Sequence, residues 1–265
     1  MQNLQWVIGW APAEPDRKPD NVPEDGRPVG GGLSDMWLYG YGGADVRQRR
    51  STDDQAGVLV VGSCLVSDEE LDRALPVAAA GRWRSLAGPG SYLTVLHTAR
   101  ETIVFGDLAG TVLVFYMAVD GGVLWSTAAS ALVDYAGKVP DLDRLALDMA
   151  IEGIPPYGGA SPFDGVEAVP PGWALRIADG QCAIVQWYEP QPGASFAQAA
   201  AGIGDALIDG VARRAMLHRT ISGDKPIGRS GCCWRTRCGS SSARWFDGRR
   251  RADVFRSHRS HPRRR

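Results

Sequence analysis

The chain has 265 residues, 44% of them hydrophobic, which is enough apolar content for a sizeable core. Its formal net charge of −1 hides two unlike parts: residues 229–265 hold 12 Arg against Asp247 and Asp253, or +10, while residues 1–228 hold 17 basic and 28 acidic side chains, or −11. No apolar run approaches the roughly 20 residues a membrane helix needs, and Met1 to Trp6 lack a basic stretch leading into an apolar one, which predicts no secretory signal and no membrane partner.

Trp6-Val7-Ile8-Gly9-Trp10 predicts a first strand. Residues 11–35, rich in Pro, Asp, Glu and Gly, read as one long surface loop. Val58-Leu59-Val60-Val61 is β-branched and fully apolar, the pattern of a buried strand ending at Gly62. Ser67, followed three residues later by Glu70, predicts a capped helix start. Tyr92–Leu96, Thr102–Phe105, Val112–Met117 and Val123–Ser126 are short strands separated by Gly-containing turns, at Asp107/Gly110 and Asp120-Gly121-Gly122, and read as an antiparallel meander. Ala128–Tyr135 predicts a short helix. Asp141 caps another, with Leu142, Leu145, Ala146 and Met149 on one face. Asp179-Gly180 joins Trp173–Ile177 to Cys182–Trp187 as a hairpin, and Phe196, Ala200, Ile203, Leu207 and Val211 line one face of a longer helix. Sheets flanked by helices make the fold class α+β. Cys64 and Cys182 are the two cysteines before residue 229, too few for a disulfide framework, in keeping with a soluble cytoplasmic protein.

The segment Ser161-Pro162-Phe163-Asp164-Gly165-Val166-Glu167-Ala168-Val169-Pro170-Pro171-Gly172-Trp173-Ala174-Leu175 resembles the F-x-G-V-x-x-L-P-P-G-x-x-L segment of the asparagine synthetase family. Trp187-Tyr188-Glu189-Pro190, which ends the following hairpin, is similar to the family as well. Gly106-Asp107-Leu108-Ala109-Gly110 looks like its R-D-x-x-G turn, and Trp125-Ser126-Thr127-Ala128-Ala129-Ser130-Ala131-Leu132 like its A-S-E-x-K-A-L. The order and spacing agree from about residue 58 to 228. The resemblance implies a glutaminase-like, Ntn-type four-layer sandwich of two antiparallel sheets between helices over residues 1–190. It implies a linker and the first helix of an ATP-pyrophosphatase domain over 191–228. It further implies ATP and Mg as the intact family's cofactors, a carboxylate activated as an acyl-adenylate, and an amine that attacks it.

In that family the glutaminase nucleophile is a Cys exposed after Met removal, whose own amine serves as base. Gln2 occupies that position here, and a carboxamide forms no thiolate, so no catalytic residue is expected. The R-G-P-D loop that grips the glutamine carboxylate has no match near Arg47 to Arg50, and Val61-Gly62-Ser63-Cys64 stands where N-G-E is expected. Cys64 reads either as a displaced nucleophile or as a strand-end packing residue; the second is favoured because the sequence sets no His or terminal amine beside it. Asp107 holds the position that contacts the glutamine amino group in the family and is the substrate-binding candidate. With the other contacts gone, a turn-forming role is favoured for it. His97 and His218 lack metal-ligand spacing, so no metal site is expected. Relatives that make β-lactams or close lasso peptides also lack the Cys, because their attacking amine comes with the substrate. The Trp-rich start and the Val60-Val61-Gly62-Ser63-Cys64 strand end look most like actinobacterial macrolactam cyclases, which implies a precursor peptide or small-molecule carboxylate as partner. Asparagine synthase itself and a non-catalytic scaffold are the alternatives; a homodimer stays open.

After Pro226-Ile227-Gly228 the family continues with S-G-G-x-D-S, whose backbone N–H groups wrap the ATP pyrophosphate. Here Arg229-Ser230-Gly231-Cys232-Cys233-Trp234-Arg235 follows, so no ATP loop is expected and no cofactor is expected to bind this chain. Residues 229–265 carry three readings. Arg interleaved with Trp234, Trp245, Phe246 and Phe255 fits a nucleic-acid segment. Cys232, Cys233, Cys238, His258 and His261 fit zinc poorly, since adjacent cysteines are poor co-ligands. An Arg-rich, Lys-free tail also fits an out-of-frame reading, and Trp234-Arg235-Thr236-Arg237 can be encoded by bases that read Gly-Gly-Leu-Asp one base later. The last is favoured and predicts a basic, disordered tail with no nucleic-acid partner.

Overall fold

The computed structural model describes residues 5–14, 17, 26–29, 35–137, 161, 163–189, 193 and 195–221. The chain divides into two compact units, Met1–Gly223 and Asp224–Arg265, and every described residue belongs to the first. Gln2, the helix expected from Asp141, Gly228 and the whole of 229–265 lie outside the described residues.

Among the described residues, twelve strands build two six-stranded sheets. They are β1 (Trp6–Pro12), β2 (Arg27–Pro28), β3 (Asp35–Tyr39), β4 (Val46–Arg50), β5 (Ala56–Cys64), β6 (Gly90–Thr98), β7 (Thr102–Phe105), β8 (Val114–Val119), β9 (Gly122–Ser126), β10 (Glu167–Val169), β11 (Trp173–Ala178) and β12 (Gln181–Gln186). The first sheet has the order β10-β8-β9-β1-β3-β2 and the second β12-β11-β7-β6-β5-β4. Neighbours pair antiparallel throughout.

The apolar pattern of each strand states which layers it separates. Successive side chains of a strand point to opposite faces. In β5, Leu59 and Val61 face a core shared with Val7, Met36, Trp125 and Val169 of the first sheet. Val58 and Val60 face the opposite way, onto Leu71, Leu75 and Ala78 of α1 (Asp68–Ala79). A strand buried on both faces has no room for polar alternation, which is why Val58 to Val61 read as an unbroken apolar run. The outer face of the first sheet repeats the arrangement: Ile8, Trp10, Trp37 and Leu124 pack on Leu132 and Val133 of α2 (Ala129–Tyr135). Each fully buried aliphatic side chain in these clusters contributes about 1.5–3 kcal/mol.

Helix α1 starts as the sequence predicts. The Glu70 N–H donates to Ser67 Oγ at 3.2 Å and the Ser67 N–H donates back to Glu70 Oε2 at 2.8 Å. The last described helix, α3 (Phe196–Ile221), reaches this cap through Arg213, whose guanidinium donates to Glu70 at 2.9 Å and to the Leu65 carbonyl at 3.3 Å. Those hydrogen bonds hold the Glu70 carboxyl down at about 2. The α3 residues Phe196, Ile203, Leu207, Ile208 and Val211 are exposed. No helix among the described residues is long and apolar enough to cross a membrane.

Two sequence expectations need correction. The loop expected over 11–35 contains the end of β1 and the short β2, and β3 starts at its last residue; β3 and β4 themselves went unforeseen. Met36-Trp37-Leu38 is too short for a visible period, because all three residues are buried, on alternating faces. Strand β4 reads as a charge cluster because its Arg47 and Arg49 reach over to Asp68 and Asp72 of α1 at 3.1 and 2.7 Å. The expected meander of four strands is divided: β6–β7 is a hairpin of the second sheet and β8–β9 a hairpin of the first. Turn residues mark where the chain reverses but not which sheet receives the next strand.

Candidate functional site

Two positions singled out by sequence, Cys64 and Asp107, come to one end of the second sheet. Antiparallel register sets Ser63 opposite Ser91 and Cys64 opposite Gly90, and Asp107 follows β7, the next strand over, after Gly106. Asp107 is brought to this end, yet its carboxylate is occupied by its own fold. Oδ1 accepts the Thr111 N–H at 2.9 Å, and Oδ2 accepts the Ser91 hydroxyl at 2.8 Å and the Thr111 hydroxyl. The Gly110 N–H donates to the Asp107 carbonyl at 3.2 Å, closing the turn that joins the sheets. Burial pushes this carboxyl up, but the bonds from Thr111 and Ser91 outweigh it and leave it below the ordinary carboxylate range.

A group whose pKa falls on folding stabilises the native state above its unfolded value and loses that contribution as the pH drops. Asp107 therefore supports the turn fully above its ordinary value of 3.8 and progressively less below it. Asp107→Asn is expected to cost about 1–2 kcal/mol at neutral pH, since an amide Nδ2 meets hydroxyl donors. The difference from wild type should shrink in acid; denaturant titrations at pH 7 and pH 3 check it, and an equal cost at both would remove the ionised carboxylate from the account.

Cys64 closes β5 with its thiol buried. Burial is the leading influence and pushes its pKa up, against the lowering effect of the Val66 backbone and Arg47. A thiol held protonated is a poor nucleophile. Arg47 spends one guanidinium nitrogen on the Cys64 carbonyl at 3.0 Å and another on Asp68 at 3.1 Å. His97 lies at the other end of β5 and β6, opposite Gly57, with its Nδ1 2.9 Å from the Thr102 hydroxyl; burial lowers its pKa below the ordinary imidazole value. No three His, Cys, Asp or Glu side chains among the described residues are placed to hold a metal ion.

Beside the Asp107 turn opens a cavity of about 430 Å³. Phe105 forms its buried floor, with the Trp187 ring 4.8 Å away between centroids. The Trp187 N–H donates to the Trp173 carbonyl at 3.1 Å, which fixes the indole, and Tyr188 continues the wall. Arg84, in a 3-10 turn at Trp83–Leu86, sets its guanidinium 5.2 Å from the Tyr188 ring centroid. Sequence reading passed over Arg84, Phe105, Trp187 and Tyr188 as site residues. Their one local signal was the adjacent pair Trp187-Tyr188, two large aromatics just past a strand end.

No protein-family model matches this sequence, and no curated protein matches it. Among solved structures, the chain is similar to glutamine phosphoribosylpyrophosphate amidotransferase from B. subtilis complexed with ADP and GMP, at 14% identity and a TM-score of 0.35. The match covers 71% of this chain and 44% of that one, so the chain spans less than half of that protein's length.

Proposed function

We propose that residues 1–190 form a glutaminase-like, Ntn-type domain that has lost glutamine hydrolysis, within an asparagine-synthetase-like, ATP-dependent amide-forming ligase of the peptide macrolactam cyclase kind. The observation that carries this reading is the occupancy of the one expected glutamine contact: the Asp107 carboxylate is filled by Thr111 and Ser91. Two α-covered antiparallel sheets with the Asp107 turn at one end are what the motif series implies for such a domain. In this reading residues 191–228 open the ATP-pyrophosphatase domain, and the ATP loop, with Mg, belongs to the chain restored to frame after Gly228.

A chain of this kind releases no glutamate from glutamine, and Cys64→Ala leaves that null rate unchanged. The frame-restored protein is expected to exchange pyrophosphate into ATP with a peptide bearing a side-chain carboxylate. Exchange with aspartate alone, together with glutamine hydrolysis, would overturn the cyclase reading in favour of asparagine synthase. The exposed α3 residues Phe196, Ile203 and Ile208 favour a second reading, a scaffold that packs on a synthetase partner. Co-elution with an intact synthetase domain separates the two.

A further inference from the structure

We propose that the cavity beside the Asp107 turn binds a monoanionic carboxylate carried on a compact aromatic or apolar body. This inference is independent of the ligase reading above and is tested without turnover.

The size of the cavity, about 430 Å³, lies in the range of small-molecule sites. Its large side chains are mostly aromatic: Tyr92, Phe105 and Trp187 with the last two centroids 4.8 Å apart, and Tyr188 6.1 Å from Trp187 edge to face. Leu108, 44% exposed, adds an apolar rim with nothing from the described residues covering it. Rings fixed in this way offer faces to a flat ligand at little entropic cost, since the Trp187 N–H is already committed to Trp173.

The polar end is Arg84. Arg47, Arg49, Arg50, Arg176 and Arg213 each pair with a carboxylate of this chain. Arg84 has no such partner among the described residues. Its guanidinium carbon lies 5.2 Å from the Tyr188 ring centroid, and its N–H groups donate to no described residue, so the planar N–H fork is free. That fork matches a carboxylate bidentately. Asp107 lines the same cavity, and its own acceptor sites are taken by Ser91 and Thr111. It therefore repels anions without docking a cation, which discriminates against a doubly charged phosphate and leaves the singly charged carboxylate as the better fit.

The carboxylate can belong to a free aromatic acid or to a peptide C-terminus with an apolar last residue. Calorimetric titration of the full chain with indole-3-acetate and with N-acetyl-Ala-Phe tests the two sources, and the tighter arm names the source. At least one is expected to bind at millimolar concentration or below. Indole-3-acetamide should bind about tenfold or more weakly than the acid, and Arg84→Gln should lose a similar factor for the acid alone. Leu108→Asp, on the exposed rim, should weaken the acid and spare the amide. The proposal is overturned if neither acid binds, if acid and amide bind alike, if Arg84→Gln binds the acid unchanged, or if inorganic phosphate displaces the acid at equal concentration. Arg84 is exposed on a surface turn, so its variant is expected to melt with the wild type.

Discussion

Gly90→Ala is expected to destabilise the protein by about 3 kcal/mol or more. Gly90 begins β6 with φ +131, a backbone conformation that side-chain-bearing residues rarely adopt. A Cβ there would lie 2.2 Å from the Ser63 carbonyl oxygen and 3.2 Å from the Cys64 Cα. Both neighbours are backbone of β5, held by a register of nine pairs from Ala56 to Cys64, so neither gives way cheaply. The paired strand must separate at this end, and the cavity, which Gly90 lines, opens with it. For a protein of this size the loss corresponds to a melting temperature lower by about 6–12 °C. Thermal unfolding followed by circular dichroism reads it directly; a shift of less than 2 °C would mean that β5 and β6 pair more loosely here than their register implies.

Trp125→Ala is expected to cost about 3–5 kcal/mol. Trp125 lies wholly buried between the sheets, its ring filling the space that Gly9 leaves on the facing strand. A Cβ on Gly9 would fall 2.1 Å from the ring, so Gly9→Ala alone should cost about 1–3 kcal/mol by overpacking. The two changes offset one another, because the methyl group enters the space the indole vacates. The double variant should therefore be more stable than the sum of the single ones requires, with a coupling of about 1 kcal/mol or more. Additive losses in a denaturant-based cycle would show that strand and ring are not in contact. Trp125→Phe should be far milder, since the buried indole N–H has no hydrogen-bond partner among the described residues and its removal relieves a desolvated donor.

Legibility in the sequence followed burial geometry. Strand β5 and the β11–β12 hairpin were visible because one is apolar on both faces and the other turns on Asp179-Gly180, whose Asp179 takes the φ of +50 that such a turn demands. The α1 start was visible because its cap is made by side chains three residues apart. Strand β3 was hidden by its length and β4 by its charges, whose partners on α1 are more than fifteen residues away. At the site, the Asp107 turn could be read because the donors from Thr111 and Gly110 are local. The cavity could not: Arg84, Phe105 and Trp187, far apart in sequence, meet only because the second sheet sets β11 between β7 and β12.

The placement of β1 between β9 and β3 dictates an order of events during synthesis. Strand β1 finds β3 within its own neighbourhood, but its other side waits for β9, with Ile8 opposite Ser126. Strands β4 to β7 are contiguous in sequence and adjacent in space, so they can assemble as soon as they leave the ribosome. Until Ser126 emerges, the Trp6–Pro12 backbone presents an open, apolar edge to whatever else is in reach. One of the two central strands of the first sheet, β1, is thus made well before β9, the strand that seals it.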